Sequence, residues 1–205
     1  MSLWAKVKDY DGSRPSAIGK IQVDGELTLG ELGLEGDEQA EKKIHGGPDR
    51  ALCHYPREHY AHWALELPQQ ADLFCAPAFG ENLSTEGLTE NDVCIGDIFR
   101  WGEALIQVTQ PRSPCFKLNY HFAVSDMAQL MQNSGKTGWL YRVVAGGPGI
   151  RRCAAGAGFP TQRRERPWRR APLPGICRSM TNNTIACSRR RGCRRAGAVP
   201  CRNGV

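Results

Sequence analysis

Short apolar runs, each closed by a turn rich in glycine or proline, recur along the first 145 or so residues, and only two stretches carry helical spacing. That rhythm restricts the fold: many short strands joined by tight turns build a mainly β domain with a few helices (α+β), of barrel type, rather than a doubly wound parallel sheet. Residues 16–29 read as a hairpin, with Ile18, Ile21 and Val23 before Asp24-Gly25 and Leu27 and Leu29 after it, because Asp-Gly supplies the positive φ angles of a two-residue turn. Residues 51–55 form a buried strand, and Pro56 opens a helix that Pro68 stops. Residues 93–101 and 104–109 make a second hairpin about Gly102-Glu103. Ser125 caps a second helix whose Met127, Leu130 and Met131 share one face and which Gly135 closes; residues 139–144 give a further strand.

Past this point the text changes, which divides the chain into a domain over residues 1–150 and a tail over 151–205. The tail holds 14 Arg, no Lys, no Asp and a single Glu, a net of +13, so residues 1–150 carry −7 of the overall +6. With few aliphatic residues and no periodicity, the tail has little to bury and is expected to be disordered. One reading is an arginine-rich nucleic-acid arm; the favoured one is an out-of-frame translation of GC-rich coding sequence, given five scattered cysteines and no lysine or aspartate. An acidic domain repels phosphate backbones, which argues against nucleic acid as the partner. No C-x-x-C pair occurs, which weakens zinc-ribbon and thioredoxin readings. No apolar run approaches a membrane span, and no basic and apolar leader opens the chain, so the expectation is a cytoplasmic protein with reduced thiols and no membrane partner.

Chemistry concentrates in three loops: His45-Gly46-Gly47-Pro48-Asp49-Arg50, Gly80-Glu81-Asn82-Leu83 and Gln110-Pro111-Arg112-Ser113-Pro114-Cys115. In the last, Pro111 and Pro114 stop a strand and deliver Cys115 on a stiff turn, between Arg112 and Lys117, whose charges favour thiolate, the form that attacks electrophiles and ligates soft metals. The plainer reading of Cys115 is a small buried hydrophobe. Gly46 and Gly47 let a ligand approach main-chain amides; Arg50 and Arg112 suit a phosphate, and Asn82 can read a heterocycle edge. His45 or His54 can relay a proton. His59 and His62 read as helix surface and Lys42 and Lys43 as a solvated edge. No G-x-G-x-x-G is present, so no nicotinamide or flavin fingerprint accompanies these loops.

In combination and order the three loops resemble the MOSC domain, the fold named after the C-terminal part of molybdenum-cofactor sulfurases, and within it the small stand-alone bacterial branch of 6-N-hydroxylaminopurine resistance proteins. The resemblance covers residues 16–144. It implies a β-barrel-like domain that carries the molybdenum cofactor (molybdopterin) and reduces and detoxifies small N-hydroxylated compounds, with electrons from a separate flavoprotein reductase. It implies Cys115 as metal or sulfur ligand, Cys115 and His45 as catalytic groups, and Asp49, Arg50, Asn82, Arg112 and Lys117 as the cofactor's surroundings. Members of that branch continue with the end of the barrel and a small helical region, where this chain has its arginine-rich tail. A different class keeps the same pocket: a cofactor or sulfur carrier working through a Cys115 persulfide without turnover.

Overall fold

The computed structural model describes residues 2–7, 16–23, 25–150 and 162–163, with 2–7, 148–150 and 162–163 described as backbone. The strands are β1 (Ser2–Val7), β2 (Lys20–Gln22), β3 (Leu27–Gly30), β4 (Gly33–Leu34), β5 (Leu52–Pro56), β6 (Leu83–Thr85), β7 (Ile98–Trp101), β8 (Ala104–Pro111), β9 (Trp139–Ala145), β10 (Gly147–Ile150) and β11 (Gln162–Arg163). The helices are α1 (Lys42–His45), α2 (Glu58–Glu66), α3 (Lys117–Phe122) and α4 (Met127–Ser134), with 3-10 turns at Pro48–Arg50 and Pro68–Leu73.

Eight strands form one mixed sheet in the order β11-β7-β8-β9-β5-β6-β1-β2, and β10-β3-β4 form a second, smaller one. The large sheet curls into a half-barrel whose two ends, among the described residues, are β2 and β11. Its ladders are antiparallel except for β5 with β6, where His54 lies beside Leu83 and Pro56 beside Thr85. A parallel pair needs a crossover, and α2 lies within it.

Two apolar clusters hold the fold. Strand β8 alternates buried and half-buried residues from Ala104 to Thr109, as a pleated surface with one face in a core requires. Its inward side chains Ile106 and Val108 pack with Leu52, Phe99, Trp101, Trp139 and Tyr141. On the other side, β5 sends Tyr55 into a second cluster with Trp63, Phe74, Phe79, Phe122, Met127 and Met131. Phe122 lies with its ring centroid 4.9 Å from those of both Phe74 and Phe79. Truncation of Phe122 to alanine is expected to cost about 3–5 kcal/mol of unfolding free energy in urea titrations, the transfer loss plus an unfilled cavity.

The helix after Pro56 and the strand at 139 are where the sequence puts them, and so is the hairpin about Gly102, except that its first strand begins at Ile98 rather than at residue 93. Residues 16–29 are not a hairpin: β2 pairs with β1, whereas β3 pairs with β4 and β10. An Asp-Gly signal reports that the chain turns, not which partners its flanks take. Nor are there only two helices, since α1 and α3 are one to two turns long and too short to show a period. Helix α4 starts after Asp126, and Asn119 serves its first turn in place of Ser125: its Oδ1 accepts from Ala128 N at 2.8 Å and its Nδ2 donates to the Ser125 carbonyl at 2.6 Å. The expectations for residues 151–205 lie outside the described residues, apart from the backbone of β11, which pairs with β7.

Candidate active site

Where β2, the loop after β4, α1, β5, the entry to β6 and the end of β8 meet, they enclose an open cavity of about 140 Å³. Six of the seven residues that the resemblance implies for the site line it: His45, Arg50, Asn82, Arg112, Cys115 and Lys117. The prolines act as expected. Strand β8 ends at Pro111, Arg112 N still donates to Gly138 O at 3.1 Å, and the Cys115 carbonyl accepts from Leu118 N at 3.1 Å to begin α3. Cys115 is thereby fixed between a strand and a helix.

Asp49 does not line the cavity. It occupies the middle of the Pro48–Arg50 turn, so its carboxylate points in a different direction from Arg50 and meets exposed Arg142 at 2.8 Å. Asn82 lines the cavity, but both ends of its amide are engaged: Nδ2 donates to Asp37 Oδ2 at 2.8 Å, and Oδ1 accepts from Cys53 N at 2.9 Å. It therefore ties β5 to the loop after β4 rather than offering a free recognition edge.

His54 is no proton relay. It is fully buried outside the cavity, stacked 4.2 Å from Trp139, with Nε2 2.8 Å from Thr85 Oγ1 and Nδ1 3.1 Å from Tyr141 Oη. Burial pushes its imidazole down to about 3, so it stays neutral across the physiological range. His59 is not helix surface either. Its Nε2 lies 2.7 Å from Glu90 Oε2 in the interior, and Glu90 Oε1 accepts from Gly138 N at 2.7 Å. His62 pairs with Glu66 one turn along α2, half-buried, at 2.8 Å. Lys42 and Lys43 are exposed, as read from the sequence.

The charges in the cavity are mostly positive. His45 is held below its ordinary value, first by burial and then by Lys117, with Glu41 opposing. Arg112 donates from Nη1 to Cys53 Sγ at 3.6 Å. Burial alone would lower the Arg112 value, but the anionic potential of Cys53, Glu81 and Cys115 raises it overall. Burial pushes the Cys53 thiol up, with Arg112 opposing.

Four contributors escaped the sequence reading. Lys20 and Asp37 form a buried ion pair on the cavity wall, continuous with Asn82; seventeen residues apart, they look like ordinary surface charges. Cys53 was read only as part of a buried strand. Glu81 is fully buried beneath the cavity; Tyr60 donates to its Oε1, and its Oε2 has no hydrogen-bond partner among the described residues. Burial raises the Glu81 carboxyl to about 7.

A raised carboxyl value means the folded state holds its proton while the unfolded state has already released it. The Glu81 contribution to stability therefore falls as pH rises from about 4.5 to about 7 and levels off above, by about 3 kcal/mol in total, while buried His54 and His121, whose values are lowered, contribute in the opposite direction. Urea denaturation of the parent and of Glu81→Gln across this window is expected to show that fall in the difference between the two, because the histidine contributions are common to both.

Comparison with known proteins returns one family model, the MOSC domain, matched by residues 41–154. The chain is 77% identical over 142 residues to protein YiiM of Escherichia coli (strain K12), covering 69% of this chain and 63% of that protein. It therefore spans about three fifths of that relative's length. A protein named reductase from Gibberella moniliformis is 41% identical over 137 residues, covering 66% of this chain and 24% of that one. The crystal structure of YiiM from Escherichia coli superposes with a TM-score of 0.59 at 65% identity, covering 73% of this chain and 66% of that one.

Proposed function

The chain belongs to the MOSC domain family, and on that premise we propose that it is a molybdenum-cofactor-dependent reductase that detoxifies N-hydroxylated bases such as 6-N-hydroxylaminopurine. The observation that carries this reading is the convergence of the Cys115 thiol with His45, Arg50, Arg112 and Lys117 on a single cavity, which Cys53 also lines. A soft sulfur among cations fits an anionic group whose metal accepts sulfur. Among the described residues no set of three or more His, Cys, Asp or Glu side chains could hold a metal ion, so the donors fit a metal that brings most of its ligands with it.

When bound, the cofactor supplies the two-electron chemistry that strips oxygen from nitrogen. The protein's part is positional and electrostatic. Cys115 Sγ presents a soft donor from a backbone fixed at both sides. Arg50, Arg112 and Lys117 hold the anionic ends of the cofactor. His45 exchanges a proton at Nε2 with the substrate oxygen; its depressed value keeps the imidazole neutral and able to accept and return that proton near neutral pH. The Lys20–Asp37–Asn82 chain keeps the wall behind Cys53 in place.

The matched relative named reductase supports a redox role. Electrons come from a separate flavoprotein, and the four cysteines among the described residues are free thiols, which suits the cytoplasm. No helix among the described residues is long and apolar enough to cross a membrane. The test is consumption of 6-N-hydroxylaminopurine by cofactor-loaded protein with an artificial electron donor. Loaded, folded protein that consumes none of it, or of related N-hydroxylated compounds, rejects the reductase in favour of a carrier.

A further inference from the structure

Glu41 has a backbone that its side chain does not favour. Its φ is 54° and its ψ 58°, the left-handed region, at the start of α1, yet the side chain caps no helical amide. Strain of this kind persists where other contacts fix it. The contacts lie at the cavity rim: Glu41 Oε2 is 2.6 Å from Lys117 Nζ and 3.7 Å from His45 Nε2. Lys117 is 8% exposed, whereas the Glu41 side chain is 45% exposed. A solvent-rooted carboxylate thus reaches inward to the Lys117 ammonium and the His45 imidazole, with the guanidinium groups of Arg50 and Arg112 also on the cavity. Of the carboxylates that line the cavity, Asp37 is engaged by Lys20 and Asn82, and Glu38 is exposed.

We propose that Glu41 is an exchangeable stand-in for a phosphate group: its carboxylate occupies the place on Lys117 and His45 that a tetrahedral dianion takes, and it leaves when that anion binds. Glu41 then sets how tightly the cavity holds a phosphate, free or esterified. Lys117 and His45 are kept pre-positioned, and the anion need not desolvate a bare buried ammonium. Relief of the left-handed backbone favours release. The inference rests on the reading that the cavity takes an anionic group, and on nothing concerning molybdenum or turnover.

Inorganic phosphate and phenyl phosphate are titrated by calorimetry at low ionic strength into the full chain, Glu41→Gln and Glu41→Gly. Both variants are expected to bind roughly fivefold more tightly than the parent, the scale of losing one partly exposed competing ion pair. Glu41→Gly relaxes the backbone as well and keeps the test alive should the glutamine variant fold poorly. Adding Lys117→Gln to Glu41→Gln is expected to abolish the gain. Whichever of the two phosphates binds better identifies the form the cavity prefers. Equal or weaker binding by the folded single variants overturns the proposal and makes Glu41 a brace for Lys117; so does a gain that survives loss of Lys117. No metal or electron donor enters the measurement, so its failure is separate from failure of the reductase reading.

Discussion

Cys115→Ser protein is expected to fold as the parent does, to contain little molybdenum, and to turn over N-hydroxylated base no faster than background. The parent, produced in cells that make the cofactor, is expected to approach one molybdenum per chain. Softness sets the size of the effect. A serine hydroxyl stays protonated at neutral pH and presents a hard oxygen where thiolate sulfur would bind a soft metal centre. The substitution is nearly isosteric, and Cys115 is half-buried on a turn, so the fold loses about 0.5 kcal/mol or less. Elemental analysis by mass spectrometry, on fractions shown to be folded by circular dichroism, reads the first effect, and single-turnover consumption of substrate reads the second. Full metal and full turnover in the serine variant would remove Cys115 from the chemistry. Attention would then move to Cys53, whose sulfur faces the same cavity beside Arg112.

The second large effect is structural. Gly138→Ala is expected to destabilise the protein by about 3 kcal/mol or more. Gly138 has φ +67°, and a Cβ built on it would stand 2.1 Å from the His54 carbonyl oxygen, an atom of β5 that cannot retreat without breaking the ladder. The same residue donates its N–H to Glu90 and accepts from Arg112 N with its carbonyl. Displacing it therefore disturbs the guanidinium at the cavity as well as the sheet. Gly135 is the control: its φ is +70°, but a Cβ there meets nothing within 4 Å, so alanine should cost about 1 kcal/mol through backbone strain alone. Chemical denaturation of the two variants side by side separates clash from strain. Equal losses would mean that β5 and β9 do not approach as closely as described.

How far the chain could be read in advance depends on whether a feature is local. The hairpin of β7 and β8 was legible because its strands alternate and its turn contains Gly102. Helix α2 was legible because prolines bracket it, and the three loops because glycine, proline and charged residues crowd them. What failed was non-local. The partners of β2 and β3 are set by which edges the rest of the sheet leaves open. His59 occupies a position that spacing alone assigns to a surface, and His54 reads as a proton relay, yet Thr85, Tyr141 and Glu90, far away in sequence, hold both in the interior. Lys20 and Asp37 carry no motif; their role exists only because the fold closes a loop between them. Asp49 went astray for a local reason, since in a 3-10 turn neighbours about a third of a turn apart point in different directions.

The cavity wall is drawn from the chain between Ala17 and Leu140, so no short segment contains it. Its contacts have high contact order: each requires a long loop to close before any free energy is returned, and such contacts form late. A cofactor that uses this wall meets a complete site only when these distant segments have come together. Once seated, it stabilises every strand that contributes a wall residue by mass action. Chain that lacks a cofactor it can bind would then be cleaved by protease faster than loaded chain.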